Sequence, residues 1–447
     1  MPDSRHPAFK FGFIWAALLI ALFGGFAMGA HVAYIVGFGY PIGKSYYALI
    51  QTHGHLQLIG WTGLFIIGVS LYFFPRMSHN PVGVGKQNAI LGLLSVGLVL
   101  RFVVHNITPY VILTAWFEPL NWVIFLSGIM EWLGVLVYII VLLRSMTAGS
   151  AGARLKLETI RPLLLMTFAG WILYTTVQVT LLFDMVRTGE LVLDSSWNAL
   201  SVTAFIYLVL LPVCFAVSIR TFPLYLRLPV VRWSVPAFAG IYFISVLLQL
   251  GWFLQPSVYA GIILKNILIL WFIWKLDLFS GLKRLRTFFR KEPEIVHRET
   301  AREKYPDYDE WGRFEWLIRS AFLWLAVGAI LELVSGISFV FNLAIYINSD
   351  AVRHLVVLGF VTLLIFGMAP RMIPGFIHVK KIAYPGLVTG TFWLGNMAVV
   401  FRVFPILVRG KIPWEPVLGA MYGWSGVIGM AAILLLAVNL YRTARNK

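Results

Sequence analysis

Five of the nine histidines in this 447-residue sequence fall within or at the ends of long apolar segments: His31, His53, His55, His105 and His354. A histidine inside a bilayer is costly, so such residues usually face the interior of a helix bundle and serve a function there. Neutral imidazole is a ligand of haem iron and of copper. Several histidines at one depth therefore predict a bound haem or metal rather than a plain pore.

The spacing of the histidines limits how they can act together. His53 and His55 are two positions apart, which places their side chains about 200° apart on a helix of 3.6 residues per turn. They cannot bind one metal together, and the sequence leaves open which of them is a haem ligand. His354, on a distant segment, is a further predicted ligand. His31 and His105 end their spans. With whichever of His53 and His55 is not the haem ligand, they are candidates for a second metal such as copper; alternatively, His31 and His105 meet lipid headgroups.

Three arginines, Arg101, Arg353 and Arg402, lie on the same predicted side of the membrane as these histidines. A guanidinium group pairs bidentately with carboxylates, and a haem carries two propionates. We therefore expect these arginines to contribute to cofactor binding. The alternative, strongest for Arg353, is a side chain that extends to the headgroups at the interface.

Three charged residues, Glu131, Lys265 and Glu332, fall near the middle of apolar segments. An unpaired charge there is too costly, so these side chains should pair with each other, line water or be neutral. The sequence does not separate structural pairing from a route for protons or ions.

The absence of other sequence motifs narrows the chemistry. The single cysteine, Cys214, excludes an intramolecular disulfide and any cysteine cluster for iron–sulfur or structural zinc. The sequence contains no CxxCH segment, so a haem would be bound non-covalently, as a b-type haem. It also contains no phosphate-binding glycine loop and no dinucleotide fingerprint.

The composition places these residues in a membrane protein. The chain is 60% hydrophobic and 12% charged, with a mean hydropathy of +0.83, whereas soluble domains are roughly 45–50% apolar. We predict an all-α, polytopic protein with a single transmembrane domain over 1–447. The net charge of +17 comes from basic residues between apolar segments, which indicates a bilayer partner and not nucleic acid. The predicted spans are 11–37, 50–75, 86–104, 119–143, 161–184, 197–219, 234–253, 256–276, 316–346, 351–371, 384–407 and 416–441.

The loops between the spans predict an orientation. Lys and Arg concentrate in alternate loops, while one opposite loop carries Asp184, Glu190 and Asp194. The positive-inside rule then places both termini in the cytoplasm and the histidines near the outer face. The loop 277–313 is the one sizeable segment outside the spans. We expect it to be a basic cytoplasmic loop, solvated or lying on anionic lipid as an amphipathic helix, and available to a protein partner.

The chain also repeats itself weakly. Glycines follow both His55 and His354 at five and thirteen positions, and Thr203 occupies the matching place in span 6. A polar residue follows each of these positions 46–48 residues later: Arg101, Gln249 and Arg402. The repeat predicts three four-helix units around a pseudo-threefold axis.

Two stretches resemble a known family: Thr52-His53-Gly54-His55-Leu56 through Gly68, and Arg353-His354 through Gly367, Arg371, Gly375 and His378. With Arg402 in its Phe-Arg-Val setting, they are similar to the NnrS family. The resemblance implies a bacterial inner-membrane protein with about twelve spans that binds haem and copper and is linked to nitric oxide stress.

The three-unit pattern more distantly resembles the catalytic subunit of haem–copper oxidases. That resemblance implies a haem between histidines of helices 2 and 10, here His53 or His55 and His354. Spans 6 and 7 contain no histidine, so a proton-pumping oxygen reductase is not expected.

The predicted function is therefore a membrane b-type haem protein that handles nitric oxide, quinol or electrons near the outer face. The first alternative is a secondary transporter, since twelve spans, internal repeats and midplane charges suit that class equally. The second is a non-catalytic haem-bearing membrane subunit of a respiratory complex.

Overall fold

The structure is a computed structural model that describes residues 9–147, 157–251, 255–279, 307–410 and 414–446. Within these ranges the chain forms helices, turns and loops, and no strand. Eleven of these helices are long and apolar enough to cross a membrane. Twelve helices, numbered α1–α12, correspond to the twelve predicted spans: Gly12–Phe38, Tyr46–Ser78, Val84–Ile107, Phe117–Thr147, Arg161–Thr188, Ser195–Tyr225, Val235–Leu250, Gln255–Leu276, Phe314–Val340, Ser349–Phe376, Pro385–Val408 and Glu415–Arg445.

The polytopic all-α prediction is thus confirmed, with differences at the ends of several helices; α6 continues to Tyr225 beyond the predicted 219, and α9 ends at Val340 before the predicted 346. Helix α7 has 16 residues, shorter than the predicted span 234–253, because it ends at Leu250 before Gly251. Helix α8 begins at Gln255, and Pro256 takes the first turn, where its missing N–H costs nothing. Helix α1 continues to Phe38, so His31 lies two turns inside the helix rather than at its end.

Three of the helices form the centre of the bundle. The most apolar windows of α2, α6 and α10 are 83%, 83% and 78% buried, whereas no other membrane-length helix exceeds 61%. Each central helix contains a π-helical segment, and in α2 and α10 this segment begins directly after His55 and His354. The Trp61 Nε1–H donates a hydrogen bond to Thr362 Oγ1 (3.2 Å), which connects α2 to α10. The matching positions support the predicted repeat, and π-helical turns are frequent at functional sites.

Side-chain caps fix where two of these central helices begin. Asp194 Oδ1 accepts a hydrogen bond from the Trp197 N–H at the start of α6 (2.9 Å). Asn348 Oδ1 accepts one from the Asp350 N–H at the start of α10 (2.8 Å). Such caps satisfy N–H groups that the first turn of a helix leaves unpaired. Both caps lie on the predicted outer side.

Part of the loop 277–313 lies at the opposite end of the bundle. A short helix, Tyr308–Trp311, precedes α9, and the Arg371 guanidinium lies 4.6 Å from the Tyr225 ring and 4.7 Å from the Trp311 ring. Residues 280–306, which include most of the predicted basic amphipathic stretch, lie outside the described residues. The cytoplasmic placement of this loop and of the termini stays a prediction.

Candidate functional site

A cavity of about 790 Å³ lies at the predicted outer end of the bundle. Side chains from α1, α2, α5, α6, α10, α11 and α12 line it, together with the loop between α5 and α6. Five of the residues singled out from the sequence border this one space: His53, His55, Arg353, His354 and Arg402. The structure thus brings the central predicted site residues of two distant segments together.

Contacts with α1 fix the position of the His53 ring. Its Nδ1 lies 2.7 Å from the carbonyl oxygen of Gly25, and because a carbonyl can only accept, Nδ1 carries the proton. Within the described part of the chain, His53 Nε2 has no hydrogen-bond partner. The imidazole lies so close to α1 that a Cβ on Gly29 would be 2.5 Å from its Cε1. A glycine at position 29 is therefore required for this ring position.

His354 has the same arrangement on the opposite helix. Its Nδ1 donates to the Asp350 main-chain oxygen one turn earlier (2.8 Å), and the Asp350 carboxylate Oδ1 lies 3.3 Å from the same nitrogen. No described residue bonds to His354 Nε2. The two histidines therefore each have one ring nitrogen fixed by the protein and one left open.

His55 faces a different set of neighbours, as its spacing from His53 requires. Its Nε2 lies 2.6 Å from Glu131 Oε2 on α4, and its Nδ1 lies 3.1 Å from the Tyr174 hydroxyl on α5. Both nitrogens are occupied, and the residue is 4% exposed. Of the two candidates on α2, His53 is the one with a nitrogen available to a ligand.

The two remaining predicted metal ligands do not border the cavity. His105 is buried, with Nδ1 3.1 Å from Thr52 Oγ1 and Nε2 3.1 Å from the Leu191 carbonyl oxygen, so both of its nitrogens are used. His31 is exposed on α1. Among the described residues, no three His, Cys, Asp or Glu side chains are arranged to hold a metal ion. Bound copper stays a prediction, and the described residues form no site of three such ligands for it.

The three arginines separate into two groups. Arg402, 6% exposed, lies with its guanidinium carbon 4.7 Å from the Tyr422 ring and its Nη2 3.4 Å from the Gly29 carbonyl oxygen. Arg353 is half-buried, and both residues line the cavity. Arg101 is buried elsewhere, where its Nη2 lies 3.4 Å from Gln178 Oε1. Arg101 does not line the cavity, and it lies within electrostatic range of Glu131.

The deep charges also separate. Lys265 Nζ lies 2.9 Å from both carboxylate oxygens of Glu332 and 2.7 Å from Gln249 Oε1. The Tyr207 hydroxyl donates to Glu332 (2.8 Å), and the Lys265 ammonium lies 3.3 Å from the Tyr207 ring centre. This network joins α6, α7, α8 and α9. Glu131 does not take part in it, because its partner is His55.

Two residues near the site were not singled out from the sequence: Asp350 and Tyr174. For Asp350 a signal was present, because a carboxylate four residues before a histidine on a helix lies on the same face. Tyr174 carried no such signal, since an aromatic residue in a membrane span is ordinary.

The fold of this chain is similar to that of a protein of known structure. No family model and no curated protein matches the sequence. A cryo-EM structure of a haem–copper terminal oxidase dimer has a similar fold, with a TM-score of 0.60 and 15% sequence identity over 97% of this chain and 83% of that chain. The distant resemblance to haem–copper oxidases is therefore supported at the level of fold. The resemblance to the NnrS family stays a prediction.

Proposed function

We propose that this protein is a membrane b-type haem protein that transfers electrons near the outer face, and that His53 and His354 would hold the haem iron. One observation carries the proposal. The two histidines come from different helices and border one cavity, each with Nδ1–H donated to a main-chain carbonyl and Nε2 open. Histidine ligands of metals characteristically donate their other ring N–H in this way, which fixes the tautomer and the ring orientation.

The residues around the cavity fit a haem. A haem is a flat apolar ring with two carboxylates, and the lining combines apolar side chains, such as Phe26, Leu58 and Val357, with Arg353 and Arg402. A volume of about 790 Å³ lies within the 300–1,000 Å³ of ligand pockets. The two imidazoles would hold the iron, the arginines would pair with the haem carboxylates, and the apolar side chains would pack against the ring. The haem would supply reversible one-electron chemistry.

Electron transfer is favoured over ligand binding because two helices each offer an imidazole with an open nitrogen, so both could bind the iron and leave no position for a further ligand. A role in the nitric oxide response, quinol oxidation, bound copper and a place in a bacterial inner membrane are finer proposals. The nitric oxide role, copper and the bacterial membrane rest on the resemblance to the NnrS family. A soluble redox partner is an additional proposal, supported by the opening of the cavity at the predicted outer ends of the helices.

The test is an optical spectrum of the detergent-purified protein, oxidised and dithionite-reduced, with and without nitric oxide. We expect a b-type spectrum that nitric oxide changes little, and its loss or conversion in His53→Ala and His354→Ala. His31→Ala, an exposed histidine on α1, is the matched control and should retain the spectrum. A Soret band that shifts with nitric oxide would instead favour nitric oxide binding.

A colourless protein after haem supplementation would refute the haem. The working function would then be secondary transport, with the Lys265–Glu332 pair as its intramembrane charge site.

Co-purification of a stoichiometric partner through the loop 277–313 would indicate a non-catalytic haem-bearing subunit of a respiratory complex.

A further inference from the structure

We propose that Asp350 lowers the reduction potential of the haem through its carboxylate, which lies 3.3 Å from the His354 imidazole. The inference rests on the proposed function, because it requires the haem. Asp350 would be a positioning residue, since it acts on the iron through the imidazole and does not contact the cofactor itself.

The environments of the two candidate ligands are unequal. The Nδ1–H of each donates to one main-chain carbonyl oxygen, that of Gly25 at 2.7 Å for His53 and that of Asp350 at 2.8 Å for His354. The Asp350 carboxylate Oδ1 also lies 3.3 Å from His354 Nδ1, as an electrostatic contact and not as a second hydrogen bond. A neighbouring negative charge favours positive charge on an imidazole. His354 is therefore the more electron-rich of the two ligands.

Local structure keeps the carboxylate in this position. Asp350 occupies the first turn of α10, where the helix dipole stabilises negative charge. Its own N–H donates to Asn348 Oδ1, so the turn is fixed independently of the carboxylate. Arg353 and Arg402 lie within electrostatic range of Asp350. The Asp350 side chain is 46% exposed at the edge of the cavity, so water moderates the effect of its charge.

This asymmetry has a consequence for the redox equilibrium. A carboxylate beside the Nδ1–H stabilises positive charge on the imidazole and so makes it a more basic ligand. A more basic ligand stabilises the ferric haem, which carries one more positive charge than the ferrous haem. Removing the carboxylate charge while keeping the main-chain bond should therefore raise the midpoint potential.

The experiment is a redox titration of the detergent-purified haem protein, followed in the visible bands. The variants are Asp350→Asn and the control Glu190→Gln, which removes a carboxylate from the same cavity lining without contact to His354. For Asp350→Asn we expect about a tenfold change in the ratio of reduced to oxidised haem at fixed potential, or about 59 mV upward. Glu190→Gln should shift the potential far less. Haem content should equal that of the unmodified protein in both variants.

Equal shifts in the two variants, or none in Asp350→Asn, would overturn the proposal. If Asp350→Asn loses haem, Asp350→Ser takes its place, because any residue at 350 keeps the main-chain acceptor. Loss of haem from both Asp350→Asn and Asp350→Ser would show that the Asp350 carboxylate is required to hold the His354 ligand in place. That result would also overturn the proposal. A protein without haem before any substitution would refute the proposed function instead, and that outcome is distinguishable from the spectrum alone.

Discussion

The position of His53 against α1 makes Gly29→Ala an informative substitution. The new methyl group would lie 2.5 Å from His53 Cε1 and 2.9 Å from Nδ1, whereas ordinary contacts begin near 3.4 Å. The ring must therefore move by roughly 0.9 Å, and the 2.7 Å bond to the Gly25 carbonyl cannot survive that movement unchanged. The direct loss is about 0.5–1.5 kcal/mol for a hydrogen bond.

The expected effect on cofactor binding is larger than that of the bond alone. Loss of the group that orients a histidine ligand typically costs about 10–100-fold in metal affinity. We expect haem retention after purification to fall by that order, while the protein still inserts and folds. The assay is haem content per protein and the rate of haem transfer to an acceptor protein.

The matched control is Gly92→Ala on α3, where an added methyl group meets nothing within 4 Å. Both substitutions replace a helical glycine, so both gain the same helix propensity. Equal haem transfer rates in Gly29→Ala and Gly92→Ala would refute the assignment of His53 as a ligand, because the ring would have moved without consequence.

Three further substitutions test the surrounding structure. Lys265→Met should destabilise the protein by about 3–5 kcal/mol in thermal unfolding, because Glu332 is left uncompensated; adding Glu332→Leu should restore most of the loss, and a failure to do so would contradict structural pairing. His105→Ala should cost about 1–3 kcal/mol yet retain the haem, since its two bonds hold Thr52 and Leu191; haem loss at unchanged stability would instead make it a ligand. Arg402→Gln should speed haem transfer without removing the b-type spectrum.

The sequence predicted where the helices of this fold lie better than it predicted which helices pack against each other. Apolar length predicts a span because about 20 residues cross the hydrocarbon core, and Pro256 marks the break between α7 and α8 because it cannot continue a helix. The shortness of α7 was not predicted. The helix ends before Gly251, whereas the sequence remains apolar beyond that residue. A hydropathy profile therefore does not show where this helix ends.

The sequence singled out several of the residues that border the cavity, but it did not predict their contacts. The spacing of His53 and His55 established that they face opposite ways, but it could not say which helix each one meets. That depends on the rotation of α2, which Gly25, Gly29 and Glu131 reveal only once α1 and α4 are in place. For the same reason the pairing of Glu131 with His55 was missed.

The three polar residues matched by the repeat differ in what surrounds them. Gln249 bonds to both Lys265 and Glu332, so protein side chains satisfy it. Arg101 bonds to Gln178 and lies in electrostatic range of Glu131, and its Nε and Nη1 are buried without a hydrogen-bond partner among the described residues. Arg402 bonds to a main-chain carbonyl, lies in electrostatic range of Asp350 and borders the cavity. Of these three positions, only that of Arg402 therefore brings a cation to the space in which we propose a haem, where it would meet the haem carboxylates.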